Sequence, residues 1–214
     1  MAVRRSSKFY TPAEMEKMFK EVFGPRLLQL GFQYIGKNRW VRETGLGFKH
    51  LFYFHPFRAG ADYYPYGAIS FDFAPRIERG KVRLRPEPKH ARPHLVIADD
   101  FRHGGALGIH RQRPSARERC EAVSETAITG INRCLESVKS LDHALDAFEH
   151  ASDDLGNEFY GNPELVLALA FTLAKIGQMD DAQSELSKIL EHKYFAPATH
   201  APLRDFLAKC ESIA

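Results

Sequence analysis

Apolar positions in the first third of the chain recur at helical spacing and then switch to alternation. Met15, Met18, Phe19, Val22 and Phe23 share one helical face, because steps of three and four residues stay on one side of a 3.6-residue turn. Thr11 predicts where that helix starts: Glu14 completes a Thr-x-x-Glu capping box and Pro12 suits the first helical position. Gly24-Pro25 predicts a kink or restart, since proline lacks a backbone donor and crowds the turn before it. Leu27, Leu28 and Leu30 then lead to Gly31, a left-handed helix stop.

Beyond Gly31 the period becomes two. Residues 32–42 read as a strand interrupted near Gly36-Lys37-Asn38, and residues 48–54, rich in aromatics, as the return strand. Residues 56–65 read as a loop with Asp62, Tyr63 and Tyr64 at its tip. Residues 66–73 predict a third strand, with Ile69, Phe71 and Phe73 alternating against Ser70 and Asp72. The pattern weakens over 74–115. There, residues 81–85 suit an edge strand, 85–93 a proline-punctuated loop, 94–98 a short strand and 103–108 a glycine-rich turn.

Helical spacing returns at Ser115, with Glu118 as a second capping-box partner, and predicts a helix over 116–138 that buries Cys120, Val123, Ala127, Ile131, Cys134 and Leu135. Further helices are predicted over 141–150, 163–176, 179–190 and 201–213. The expected fold is therefore α+β: an N-terminal helix packed on an antiparallel sheet of three to five strands, followed by an all-helical C-terminal subdomain. The expected boundary separates an α+β domain with basic loops at 1–114 from helices at 115–214.

Charge changes this picture more than composition does. The net charge of +3 hides an asymmetry: residues 1–119 carry 23 Lys/Arg against 11 Asp/Glu, and residues 120–214 carry 7 against 16. Residues 76–119 alone hold 12 basic groups against 5 acidic ones. Such a break marks a boundary, a surface for an acidic partner, or two halves that attract each other. The three cysteines are isolated, which predicts a reducing compartment and hence the cytoplasm. No apolar run approaches the roughly 18 residues of a membrane span, and no apolar segment follows Arg4 and Arg5, so neither membrane insertion nor a cleaved signal peptide is expected.

Two stretches resemble known families. Residues 162–190 resemble one tetratricopeptide-type helix pair through Leu169, Ala170 and Leu173, then Gly177, then Asp181-Ala182. A single copy implies a helical hairpin capping the domain; a peptide-binding groove is the sharper reading. The opening stretch, with Leu27, Gly31, Phe32, Gly36, Trp40 and Arg42, resembles a bacterial domain family of unknown function whose members begin with a helix, then Leu-x-x-x-Gly-Phe, a glycine and Trp-x-Arg. Some relatives are linked to toxin immunity, so the resemblance implies an immunity role. The family's usual glutamine in the second strand is not evident here.

Candidate chemistry is sparse. His90, His94, His103 and His110 share one stretch, but Pro93 interrupts the one His-x-x-x-His pair and no cysteine is near, which favours a solvated basic loop over a metal site. Asp72, Glu78 and Lys81 do not make a nuclease set, because alternation does not aim Glu78 and Lys81 together. No nucleophile elbow or phosphate loop occurs. The expectation is a protein that binds a protein partner without chemistry, cofactor or metal, with a toxin-neutralising immunity protein acting by occlusion as the favoured reading. The alternative is a nucleic-acid-binding protein or nucleic-acid enzyme using residues 76–119. Partner-binding candidates are Arg58, Tyr63, Tyr64, Arg83, Arg85, Lys89, Arg92, Arg102, Arg111 and Arg113.

Overall fold

A computed structural model describes residues 8–99, 106–191 and 195–210. Helices α1 (Pro12–Val22) and α2 (Gly24–Gln29) precede strands β1 (Gln33–Gly36), β2 (Arg39–Glu43), β3 (Phe48–Phe57) and β4 (Asp62–Phe71). Then come β5 (Arg76–Glu78), β6 (Lys81–Arg83), β7 (Leu95–Asp99) and β8 (Ile109–His110). Helices α3 (Ser115–Ser137), α4 (Leu141–Leu155), α5 (Asn157–Tyr160), α6 (Pro163–Lys175), α7 (Met179–Leu190) and α8 (His200–Ala208) complete the order. The fold is α+β: an antiparallel sheet in the order β1-β2-β3-β4-β7, with β8 also on β4, then C-terminal helices. Strands β5 and β6 form a separate two-stranded sheet. The chain divides into two compact units, one of Met1–Arg42, Leu51–Gly67 and Ala98–Cys134, the other of Glu43–His50, Ala68–Ile97 and Leu135–Ala214.

In the first unit, α1 begins as its sequence predicts. The Thr11 side chain accepts from the Glu14 N–H and the Glu14 carboxylate accepts from the Thr11 N–H. Its apolar stripe, Met15, Met18 and Phe19, is buried. Phe19 stacks on Phe54 of β3 with ring centroids 3.9 Å apart and meets Tyr63 edge-on at 5.3 Å, while Trp40 and Phe52 close the cluster. Such contacts add to the transfer free energy of large apolar side chains.

Helix α2 ends in a Schellman motif: the Phe32 N–H reaches the Leu27 carbonyl and the Gly31 N–H the Leu28 carbonyl. Gly31 takes φ +82°, the left-handed conformation the motif requires. Arg42 locks this corner by donating to the Leu30 carbonyl and lying over the Phe32 ring. The interruption at 36–38 proves to be a hairpin turn, so residues 32–42 form two strands, with Gly36 opposite Arg39. Lys37 and Asn38 both have positive φ, and Glu16 of α1 accepts from the Lys37 N–H and from the Tyr34 hydroxyl.

The loop expected over 56–65 is mostly strand. β3 runs to Phe57, one 3-10 turn spans Arg58–Gly60, and β4 starts at Asp62. Asp62 and Tyr63 are 7% and 3% exposed, which corrects their expected place at a loop tip. Pairing of Asp62 with His110 and Tyr63 with Ile109 extends the strand earlier than its hydrophobic alternation indicates. In α3, Ser115 is the first helical residue and its hydroxyl donates to the Gln112 carbonyl, while Cys134 is only partly buried.

In the second unit, Phe71 of β4 stacks on Phe148 of α4 at 5.5 Å and against the His94 ring at 6.1 Å. Helix α6 packs on α4 and α7. It is capped by Asn162, whose side chain accepts from the Leu165 N–H, and ends in a second Schellman motif at Gly177. Leu165–Ala168 and Ala170–Ala174 are all buried, so α6 offers no open peptide groove along its length. Ala170 and Ala182 of the tetratricopeptide-like pair are fully buried.

Candidate interaction surface

The 76–119 basic region does not form a single element. Its 106–119 part belongs to the first unit and is bound into the fold there. Arg113 hydrogen-bonds Glu14 and lies over the Tyr10 ring, with its guanidinium carbon 4.0 Å from the ring centroid. The Thr11 backbone N–H, and after it the Arg113 bond, hold the Glu14 carboxyl down at about 2. Arg117 pairs with Glu21 and Glu121, and Arg119 donates to the Ala106 and Gly108 carbonyls. Arg111 exchanges backbone hydrogen bonds with Tyr10 and Ala61. Arg113 and Arg117 thus fasten the start of α3 and the residue run before it to α1.

The 76–92 part differs. In the β5–β6 hairpin Arg76 lies opposite Arg83, Ile77 opposite Val82, and Glu78 opposite Lys81. Because facing residues and alternate residues share a face, Arg76, Glu78, Lys81 and Arg83 project together, with Ile77 and Val82 on the reverse. This corrects the expectation that Glu78 and Lys81 aim apart: the two-residue turn between them sets them opposite each other. Arg79 and Gly80 form the turn at φ +51° and +74°, as a twisted two-residue hairpin requires. The segment expected as a single edge strand over 81–85 is thus one arm of this hairpin.

Two arginines facing each other destabilise a hairpin unless a carboxylate intervenes. Glu78 is that carboxylate. One of its oxygens lies 2.6 Å from Arg76, and the other lies 3.6 Å from Arg85 and 3.9 Å from Arg83. The Arg76 side chain is only 14% exposed. Burial pushes its pKa down, Glu78 offsets part of that, and Arg92 and Arg85 add to the downward push. Arg92 itself hydrogen-bonds Glu164 of α6. Toward solvent, Arg79, Lys81, Arg83 and Lys89 are exposed.

The floor beneath these groups is polar and satisfied. Lys49 is buried, donating to Asp72 and, at 2.6 Å, to the Pro86 carbonyl. Burial raises the Asp72 carboxyl against the pull of Lys49. The His94 Nδ1 accepts the Phe71 N–H at 2.9 Å. Burial, then the charges of Arg92 and Arg76, drive His94 down to about 3. Its ring is therefore neutral and serves the fold. Among the described residues no three His, Cys, Asp or Glu side chains converge as a metal site, and His103 lies outside them.

Of the candidates read from sequence, Arg83, Arg85 and Arg92 come together at this hairpin, with Lys89 exposed on the 3-10 turn Pro88–His90. Arg111 and Arg113 lie in the first unit, as does Arg58, exposed at φ +48° and 3.7 Å from Asp62. Tyr63 is a core residue, and Tyr64 packs edge-on against Phe57 at 5.4 Å. Arg102 lies outside the described residues. Sequence reasoning missed Arg76, although the Arg-x-Glu and Lys-x-Arg alternation across a two-residue turn carries the signal. No family model, curated protein or solved structure matches the chain.

Proposed function

We propose that the protein acts by binding, not by bond chemistry, and that its β5–β6 hairpin docks an acidic protein partner. One observation carries the reading: Arg79, Lys81, Arg83 and Lys89 are exposed around a hairpin whose own carboxylate, Glu78, is already divided among three arginines, with Glu87 the one exposed acidic residue of 76–92. A surplus of cations steers an anionic surface toward it and selects against basic partners. Guanidinium forks match carboxylate geometry, and Glu78 shows that a carboxylate fits. The hairpin itself carries no aromatic residue on which bases could stack, which favours acidic protein over single-stranded nucleic acid. The N-terminal motif resemblance supplies the partner class: a toxin, neutralised by occlusion.

Fluorescence anisotropy against a labelled Asp/Glu-rich peptide and a DNA duplex of equal charge tests this. The peptide is expected to bind at low salt and weaken as salt rises, with at least a tenfold loss in Arg79→Ala/Lys81→Ala/Arg83→Ala. Tighter binding of the duplex, reduced in the same variant, would replace the protein partner with a nucleic acid. A triple variant that binds the peptide as well as the parent overturns the assignment of the surface.

A further inference from the structure

Beside the exposed cations, and sharing Arg83 with them, the geometry points to a second site: Arg76, Arg83, Arg85 and Arg92 form a cluster that suits a small tetrahedral dianion of the phosphate type. Among the described residues, four guanidiniums pair there with two carboxylates, Glu78 and Glu164, while Glu87 acts on Arg85 through space, so positive charge is in excess within the cluster. The donors are also underused. The Nε atoms of Arg76 and Arg85 are buried and have no hydrogen-bond partner among the described residues, an arrangement that is costly unless an acceptor enters.

Glu78 does not meet this demand. It is close to Arg76 at 2.6 Å, but at 3.6 and 3.9 Å it lies beyond hydrogen-bond length from Arg85 and Arg83. A planar carboxylate has two oxygens in one plane, and Glu78 reaches only one of the three guanidiniums at hydrogen-bond length. A tetrahedral dianion offers more acceptors in three dimensions and more negative charge than one carboxylate. The neutral state of His94 is a separate sign of the local potential, since Arg92 and Arg76 both disfavour its proton. Arg76, at 14% exposed, and Arg92, at 23%, form the sheltered side of the cluster, while Arg83 and Arg85 stand on its open side.

Isothermal titration with inorganic phosphate at low ionic strength tests the site on the full chain. One phosphate is expected per chain, weakened at least tenfold in Arg85→Gln and tightened severalfold in Glu78→Gln, which removes the competing carboxylate. The gain in Glu78→Gln cannot come from misfolding, and thermal unfolding of Arg85→Gln checks that its loss does not either. Acetate at matched ionic strength is expected not to compete. Absence of phosphate binding at millimolar concentration, equal binding by Arg85→Gln, or equal displacement by acetate overturns the site. Arg79→Ala/Lys81→Ala is expected to lose acidic-peptide binding yet keep phosphate, so this site and the docking surface fail independently.

Discussion

His94 shows how a single side chain sets a pH limit on the fold. Its Nδ1 is committed to the Phe71 N–H, its ring lies against Phe71, and Arg92 and Arg76 stand near enough to oppose a proton. The ring titrates at about 3 in the folded chain against an ordinary 6.5. The unfolded chain therefore binds a proton first as pH falls, and the stability His94 confers is complete above 6.5 and drains away between 6.5 and 3. Each pH unit in that window removes about 1.4 kcal/mol. His94→Asn keeps an acceptor for Phe71 without a titrating ring. Urea unfolding at pH 7 and pH 5 is expected to show the parent losing about 2 kcal/mol more than this variant over the interval. An equal loss would mean that His94 is protonated in the fold. The sequence showed a histidine in a basic loop; the burial that silences it arises from Phe71 and its surroundings, which no local pattern encodes.

At the level of elements, legibility followed how local the determining interaction is. The capping box of α1, the restart at Gly24 and the stop at Gly31 depend on residues within one turn, and all three were readable. The motif residues Leu27, Gly31, Phe32, Gly36, Trp40 and Arg42 prove to be stop, core, turn and lock of one corner, so each has a structural duty in the fold. The start of β4 and the β5–β6 hairpin were not readable, because partners fix them: β8 extends β4 over polar Asp62, and the hairpin depends on charge pairing across its strands. Gly31 and Gly130 give a contrast. A Cβ added at Gly31 would meet Arg42 Cδ at a comfortable 3.5 Å, so the cost of Gly31→Ala is conformational, about 1–2 kcal/mol for a left-handed residue. Gly130, inside α3 and with nothing within 4 Å of an added Cβ, should accept alanine with a gain of up to about 1 kcal/mol. Equal effects in chemical denaturation would contradict the Schellman reading of the corner.

For the molecule as a whole, the charge asymmetry of the sequence resolves into groups with different duties. Arg113, Arg117 and Arg119 are consumed by α1 carboxylates, Glu121 and backbone carbonyls, whereas the 76–92 cations meet the acidic helices of their own unit through Arg92 and Glu164 and otherwise exceed their partners among the described residues. A count over 76–119 could not separate these sets, because it cannot see which carboxylates the fold brings near. The central claim is that the surplus around the hairpin is the working surface. The most direct measurement is an amide chemical-shift map during titration with the acidic peptide. The account predicts that the largest shifts fall on residues 76–85 and Lys89, and that they vanish in Arg79→Ala/Lys81→Ala/Arg83→Ala. Shifts concentrated instead on residues 53–66 or 106–119, with 76–92 unmoved, would contradict it.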